Sequence, residues 1–214
     1  SAVMMLRILF LLAVFVTGPA RAGETDTILL IGDSLSAAYG IPADAGWVAL
    51  LQQRLESEQY PFRLVNASIS GDTTAAALAR LPRALATHQP GIVILQLGGN
   101  DGLRGLSLAE LKQNLAAMIE MAASRRASSL LLGVHLPPNY GRRYTERFHS
   151  IYHELAEETG TPLVASLVDG IGNRSELMQS DGIHPNLQAQ PLIAERVWLQ
   201  LQPMLEHGNH AVGN

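Results

Sequence analysis

Five short apolar runs alternate along the chain with five longer segments in which apolar residues recur every three or four positions. The runs are nearly continuous, as in Ile92–Leu95, which is typical of strands covered on both faces. Strands are predicted at Thr27–Ile31, Arg63–Ala67, Ile92–Leu97, Ser129–Val134 and Pro162–Ala165. Helices are predicted at Trp47–Ser57, Thr74–Thr87, Leu108–Ser124, Arg143–Thr159 and Leu187–Met204. This alternation favours an α/β fold with a parallel sheet, helices on both faces and right-handed crossovers.

Two helix ends carry sequence signals. Ser107 and Glu110 form an S-x-x-E capping box before one predicted helix. Gly160, followed by Thr161 and Pro162, is a typical stop after another. Because no linker, repeat or low-complexity tract interrupts the pattern, residues 23–214 are predicted to form a single domain.

The first 22 residues follow a different pattern. Arg7 precedes the short apolar run Ile8–Val16, and Ala20-Arg21-Ala22 matches the small-x-small pattern of a cleavage site. The rival interpretation is a membrane anchor, but a spanning helix needs about 20 apolar residues, roughly twice this run. Residues 1–22 are therefore interpreted as a cleaved signal peptide. The mature protein is expected to be exported to the periplasm or beyond, with no transmembrane anchor.

Composition narrows the range of functions. The chain is 47% hydrophobic and 5% aromatic, with a formal net charge of −4, which argues against a nucleic-acid partner. It contains no cysteine, so disulfides, thiolate metal sites and a cysteine nucleophile are excluded. No oligomeric state follows from the sequence.

Polar residues concentrate in four loops that follow predicted strands. These loops are Gly32–Ser34, Asn66–Thr73, Gly98–Gly102 and Asp181–Pro185. In open α/β sheets, ligands bind beyond the carboxyl ends of the strands. Each loop alone is more typical of a tight turn than of catalysis, so the argument rests on their combination.

Together the loops contain the parts of a serine hydrolase. A serine nucleophile needs a base, and the base needs an orienting acid. Asp181 and His184 are three residues apart, Gly182 permits a turn between them, and Pro185 keeps His184 out of a helix. Oxyanion donors are also available. They are the backbone N–H groups of Ser34 and Gly71 and the side-chain amide of Asn100.

Four blocks resemble the GDSL, or SGNH, hydrolase family and occur in family order. They are Gly-Asp-Ser-Leu-Ser, Ser-Gly-Asp-Thr, Gly-Gly-Asn-Asp and Asp-Gly-Ile-His-Pro. The resemblance implies a three-layer α/β/α fold with five parallel strands in the flavodoxin-like order 2-1-3-4-5. It also implies that Ser34 is the nucleophile, that Asp181 and His184 complete the triad, and that Gly71 and Asn100 are oxyanion donors.

Longer matches resemble the exported bacterial TesA type within this family, for example Asp-Ser-Leu-Ser-Ala-Ala-Tyr-Gly and Pro-Asn-Tyr-Gly-Arg-Arg-Tyr. Members of that type act as thioesterase, arylesterase and lysophospholipase at one site. The implied partners are small-molecule or lipid acyl esters and thioesters, and no metal or cofactor is implied. An exported enzyme meets lysophospholipids or foreign esters more readily than cytoplasmic thioesters of coenzyme A.

Several residues have simpler interpretations. Ser34 alone suits a helix cap, although its partners favour a nucleophile. Asp33 and Asp101 are interpreted as structural acids that bind loop N–H groups. The helix stripe of His149, His153 and Glu157 is interpreted as a solvated face rather than a metal site.

Substrate preference is predicted from the loop after Asn100. The side chains predicted to line an acyl-chain groove are Tyr39, Ile69, Leu103, Leu106 and Pro138. Two other classes of enzyme stay open, a carbohydrate-ester deacetylase and a weak peptidase. A third alternative is a non-catalytic exported module that binds lipid.

Overall fold

A five-stranded parallel sheet forms the centre of the protein. The computed structural model describes residues 26–210, and side chains through residue 206. The predicted signal peptide lies outside the described residues. The strands are β1 (Asp26–Gly32), β2 (Phe62–Asn66), β3 (Ile92–Gln96), β4 (Ser128–Leu132) and β5 (Leu163–Val164). Their order is β2-β1-β3-β4-β5, and every neighbouring pair is parallel. The expected fold class is thereby confirmed.

Helices cover both faces of the sheet. They are α1 (Trp47–Ser57), α2 (Thr74–His88), α3 (Gly99–Leu103), α4 (Leu108–Ser124), α5 (Arg142–Thr159) and α6 (Gln190–His210). The short α3 has no counterpart in the sequence prediction, because five residues with two glycines show no helical period. The last helix begins later than predicted, since residues 187–189 form a separate 3₁₀ turn.

Two hydrophobic cores lie on opposite sides of the sheet. Successive strand residues point to opposite faces, so Ile28 and Leu30 enter one core whereas Leu29 and Ile31 enter the other. Side chains of α1 and α6 complete the first core, and those of α2, α4 and α5 complete the second. Burial on both faces explains why the strands are apolar without alternation.

The predicted helix ends are confirmed. Ser107 Oγ accepts a hydrogen bond from the Glu110 N–H at 3.3 Å at the start of α4. Gly160 follows α5 with φ +66°, the left-handed conformation that glycine adopts without strain. Among residues 26–210, no helix combines the length and apolarity needed to cross a bilayer.

The strand order sets the position of a site. From β1 the chain crosses to β2 on one side of β1, and later places β3 on its other side. The connections that leave β1 and β3 therefore run in opposite directions, and a crevice forms between them beyond the carboxyl ends of these two strands. Ser34 follows β1 and Asn100 follows β3, so the topology brings two of the candidate residues to this crevice.

The hydroxyl of Tyr152 generates a stability prediction. This buried group donates a hydrogen bond to the Leu97 carbonyl at 2.8 Å, just before α3, the helix that carries Asn100. Tyr152→Phe leaves that carbonyl without its partner, so we expect the free energy of unfolding in urea to fall by about 1–3 kcal/mol. Tyr140 provides a matched control, because its hydroxyl binds the Leu103 carbonyl at 3.0 Å in an exposed position. An equal loss in Tyr140→Phe would contradict the prediction.

Candidate active site

Ser34, His184 and Asp181 form a continuous hydrogen-bonded chain. Ser34 Oγ lies 2.8 Å from His184 Nε2, and His184 Nδ1 lies 2.6 Å from Asp181 Oδ2. With the proton of a neutral imidazole on Nδ1, Nε2 is free to accept the serine hydroxyl proton. This arrangement is that of a nucleophile, a general base and an orienting acid.

A compact turn positions the acid and the base. Gly182 adopts φ +66°, which is consistent with the turn expected between Asp181 and His184. Met178 and Pro185 form an isolated antiparallel bridge that closes the base of the turn. The side-chain amide of Gln179 then donates to the Tyr39 carbonyl at 2.8 Å. Gln179 thus ties the turn to the Ser34 loop, a role that no motif in the sequence indicates.

The environment of Asp181 keeps its carboxylate ionised. Partial burial acts to raise its pKa, but hydrogen bonds from the His184 backbone, the His184 ring and the Ile183 backbone outweigh that effect. Together they lower the pKa of Asp181 to about 2. The acid therefore stays charged at neutral pH, where it can hold the imidazole in one orientation.

The Ser34 loop is fixed from below by buried polar groups. Residues 34–40 form consecutive turns, so Ser34 does not cap a helix. Asp33 Oδ1 accepts the Leu35 N–H at 3.0 Å, and the Asp33 carbonyl accepts the N–H groups of Ser36 and Ala37. Ser36 Oγ donates to Gln96 Oε1 at 2.6 Å. These bonds hold Ser34 at the floor of the crevice.

The candidate oxyanion donors border the same cavity as Ser34. Gly71 adopts φ +86°, in the left-handed region that favours glycine. Asn100 Nδ2 donates to the Asp72 carbonyl at 2.9 Å. Since an amide nitrogen has two hydrogens, this bond fixes the group and leaves the second hydrogen available to a ligand.

Asp101 has the structural position expected from the sequence. Its carboxylate is buried and accepts the Thr74 N–H at 2.9 Å and the Thr74 hydroxyl at 2.5 Å. These bonds join the first turn of α2 to α3. The helix that carries Asn100 is thereby anchored to its neighbour.

A cavity of about 790 Å³ extends from Ser34, a size suited to small ligands, which bind in pockets of about 300–1,000 Å³. Tyr39, Leu103 and Pro138 line it, as the acyl-groove prediction requires. Ile69 and Leu106 do not line it and are about half exposed. The bond from the Leu106 N–H to the Asp101 carbonyl folds that segment back beyond the end of α3.

Further apolar walls lie beyond the observed ends of two strands; the predicted strand Ser129–Val134 ends at Leu132 in the structure, which leaves Val134 in the loop. These walls follow β4 and β5 and include Val134, Leu136, Val168 and Met178. The cavity therefore runs towards β4 and β5. The aromatic ring of Tyr39 also contacts the base, with ring centroids of Tyr39 and His184 4.4 Å apart.

The histidine stripe on α5 lies apart from the triad. His149 Nε2 and His153 Nε2 are 3.2 Å apart, and the His149 ring packs against His135. Burial lowers the pKa values of His135 and His149, which favours neutral rings. Among the side chains of residues 26–206, no three His, Asp or Glu side chains converge to hold a metal ion.

Comparison with known proteins establishes the family. The sequence model of the GDSL-like lipase/acylhydrolase family matches residues 30–190, which include the triad, Gly71 and Asn100. The chain belongs to this family. Esterase TesA of Pseudomonas aeruginosa is 52% identical over 185 residues, covering 86% of this chain and 92% of that protein. Thioesterase 1/protease 1/lysophospholipase L1 of Escherichia coli is 46% identical over 187 residues, covering 87% and 88%.

Solved structures of GDSL-type relatives share the fold. The crystal structure of TesA superimposes with a TM-score of 0.82 at 53% identity, covering 83% of this chain and 99% of that one. The esterase EstA from Pseudoalteromonas, inhibited by monoethylphosphonate, gives 0.80 at 41% identity, covering 85% and 99%. The expected membership of the GDSL family is confirmed.

The buried acid Asp33 generates a prediction about pH. Burial raises its pKa from 3.8 to about 6, against the lowering effect of the Leu35 N–H. Between pH 6 and 3.8, Asp33 is protonated in the folded protein but ionised in the unfolded chain. The unfavourable burial of its charge is therefore relieved, and the protein becomes more stable, as the pH falls through that window. We expect Asp33→Asn to raise the free energy of unfolding above that of the parent by up to about 3 kcal/mol at pH 7, and this difference to shrink as the pH falls from 6 to 4.

Urea unfolding of both proteins across that range measures the effect. Asp44→Asn serves as a control for the loss of one charge, because Asp44 is exposed. Parallel stability curves for the parent and Asp33→Asn would contradict the assignment.

Proposed function

We propose that this GDSL hydrolase cleaves acyl esters and thioesters by two-step acyl transfer through Ser34. The observation that carries the proposal is the hydrogen-bonded chain from Ser34 through His184 to Asp181, which opens into a largely apolar cavity. His184 removes the Ser34 proton as Oγ attacks the acyl carbonyl, and then protonates the leaving alcohol or thiol. Water repeats the sequence on the acyl-enzyme and releases the acid.

The oxyanion of each tetrahedral intermediate needs fixed donors. We assign the Ser34 and Gly71 N–H groups and the free hydrogen of Asn100 Nδ2 to this role. In support, the three residues border one cavity, and the bond to the Asp72 carbonyl holds the Asn100 amide before substrate arrives. A donor held in advance loses little entropy in the transition state, which is why it accelerates the reaction.

The cavity walls favour a substrate with an apolar acyl chain. Burial of each CH₂ group against them contributes up to about 0.8 kcal/mol. Relatives carry the names esterase, thioesterase and lysophospholipase, and arylesterase, the last from Vibrio mimicus at 39% identity. We infer the same substrate classes here. A carbohydrate ester fits these apolar walls less well, because its hydroxyl groups would find hydrogen-bond partners only at the polar lining residues such as Ser70, Asp169 and Asn173.

The site of action follows from the amino-terminal sequence. We infer that residues 1–22 direct export and are removed, so that the enzyme acts in the periplasm. Lysophospholipids and foreign esters are accessible there, which makes them the proposed substrates in the cell.

Labelling with a fluorophosphonate tests the nucleophile. We expect the parent to be labelled and Ser34→Ala to lose both labelling and ester turnover. Ser70→Ala is a matched control, because Ser70 lines the same cavity and is expected to leave labelling intact. We also expect Asn100→Ala to lower kcat by about 10²–10³ while the protein remains folded. A parent chain that resists labelling would favour the non-catalytic lipid-binding alternative.

Chain-length dependence tests the acyl wall. We expect kcat/KM for monomeric p-nitrophenyl esters to rise with chain length, because each added CH₂ is buried. Leu103→Ala should reduce the advantage of the long ester over the acetate by about tenfold, since it removes apolar contact from the wall. Leu106→Ala is the control, because this side chain belongs to the same segment but does not line the cavity. Equal effects of the two substitutions would place the acyl chain elsewhere.

A further inference from the structure

Exposed apolar side chains are concentrated at one edge of the protein. Among the side chains that the structure describes, eight large hydrophobic ones are more than a third exposed. Two of them, Leu192 and Leu199, lie on α6. The other six follow the carboxyl ends of the strands and are here called the rim: Tyr39, Ile69, Leu106, Tyr140, Ile183 and Leu187.

The rim lies at the edge of the sheet where the cavity opens. Every loop beyond a strand contributes to it: one residue follows each of β1 to β4, and two follow β5. Tyr39 and Ile183 also line the cavity, and the Tyr140 hydroxyl donates to the carbonyl of Leu103, which lines it as well. Because parallel strands end at the same edge, the exposed apolar groups and the cavity mouth form one surface.

The rim has features that a single soluble substrate does not require. Ile69 and Leu106 are 49% and 43% exposed, yet neither lines the cavity. Isolated exposed apolar residues are common, but a concentration of them beside a binding site typically marks an interaction surface. A ligand that only enters the cavity leaves these side chains in water, so a larger apolar partner is needed to cover them.

Positive charges accompany the apolar groups. The exposed Arg104 lies two residues before Leu106, and its Nη2 donates to the Gly71 carbonyl at 2.9 Å. Arg143 is exposed three residues after Tyr140. A phospholipid surface offers the complementary combination, because it places phosphate groups above an apolar layer.

We propose that the rim docks on a phospholipid surface with the cavity entrance facing the lipid. A single-chain lipid can then pass its acyl chain from the aggregate to Ser34 without crossing water. The identity of the partner rests on the proposed function, since a lipid substrate is what makes this orientation productive. Contact by a few partly exposed side chains is expected to give weak, reversible binding.

Vesicle co-sedimentation tests the docking surface directly. The chain carrying Ser34→Ala is mixed with vesicles of phosphatidylcholine containing about 20% phosphatidylglycerol, so that binding is measured without turnover. We expect the added changes Ile69→Ser, Leu106→Ser and Leu187→Ser together to weaken partitioning by about tenfold or more. Leu192→Ser with Leu199→Ser is the matched control on α6, with exposed fractions of 46% and 62%. Thermal melts compare the folding of the variants.

Three results would overturn the proposal. The first is that the Ser34→Ala chain does not bind vesicles, and the second is that the rim and α6 variants bind them equally well. The third is that the rim substitutions change only self-association, measured by gel filtration. The last result would identify the rim as an interface between copies of the chain.

Kinetics with Ser34 intact separate this proposal from the proposed function. We expect the triple rim variant to hydrolyse a monomeric p-nitrophenyl ester at the parental rate, but to lose about tenfold on lysophosphatidylcholine above its micelle concentration. If the triple variant matches the parent on the lysophosphatidylcholine micelles as well as on the monomeric ester, the docking proposal is overturned while the esterase assignment stays intact. Failure of Ser34 to react with fluorophosphonate would overturn the esterase assignment, whereas vesicle binding would still be measurable.

Discussion

The parallel direction of all five strands is the constraint on which the site depends. It places five carboxyl ends at one edge, and each functional group follows one of these ends. Ser34 and Asn100 flank the crevice between β1 and β3, while Asp181 and His184 arrive from the connection after β5. Two hydrophobic cores and their covering helices hold the strands in this register, so the short hydrogen bonds of the triad depend on packing far from them.

Two buried carboxylates support the segments that carry Ser34 and Asn100. Asp33 binds the backbone just after Ser34, and Asp101 joins α3 to the start of α2. Burial of a charge is unfavourable, which is reflected in the raised pKa of Asp33. Asp181, in contrast, has three hydrogen-bond donors and a lowered pKa. Carboxylates in one site therefore serve different purposes because their surroundings differ.

Apolar surface has two separate locations around Ser34. One lies inside the cavity, where Val134, Leu136 and Val168 suit an acyl chain. The other faces outward, where Ile69 and Leu106 suit a lipid aggregate under our proposal. The two locations meet at Tyr39, which borders the cavity, packs against the His184 ring and is itself half exposed. Under that proposal, the substrate and the surface that contains it bind to continuous parts of one face.

Sequence alone determined the five strands, the five long helices that cover the sheet and the identity of the triad candidates. Buried strands and amphipathic helices have regular periods, and the Asp181–His184 spacing is local, so neither depends on distant contacts. The path of the loops was decided only by tertiary structure. The five-residue α3, the Gln179 tie to Tyr39 and the outward orientation of Leu106 arise from hydrogen bonds between segments distant in sequence or from turns without a period. Side chains such as Leu103 and Leu106 look equivalent along the chain, and only the folded backbone places one in the cavity and the other outside it.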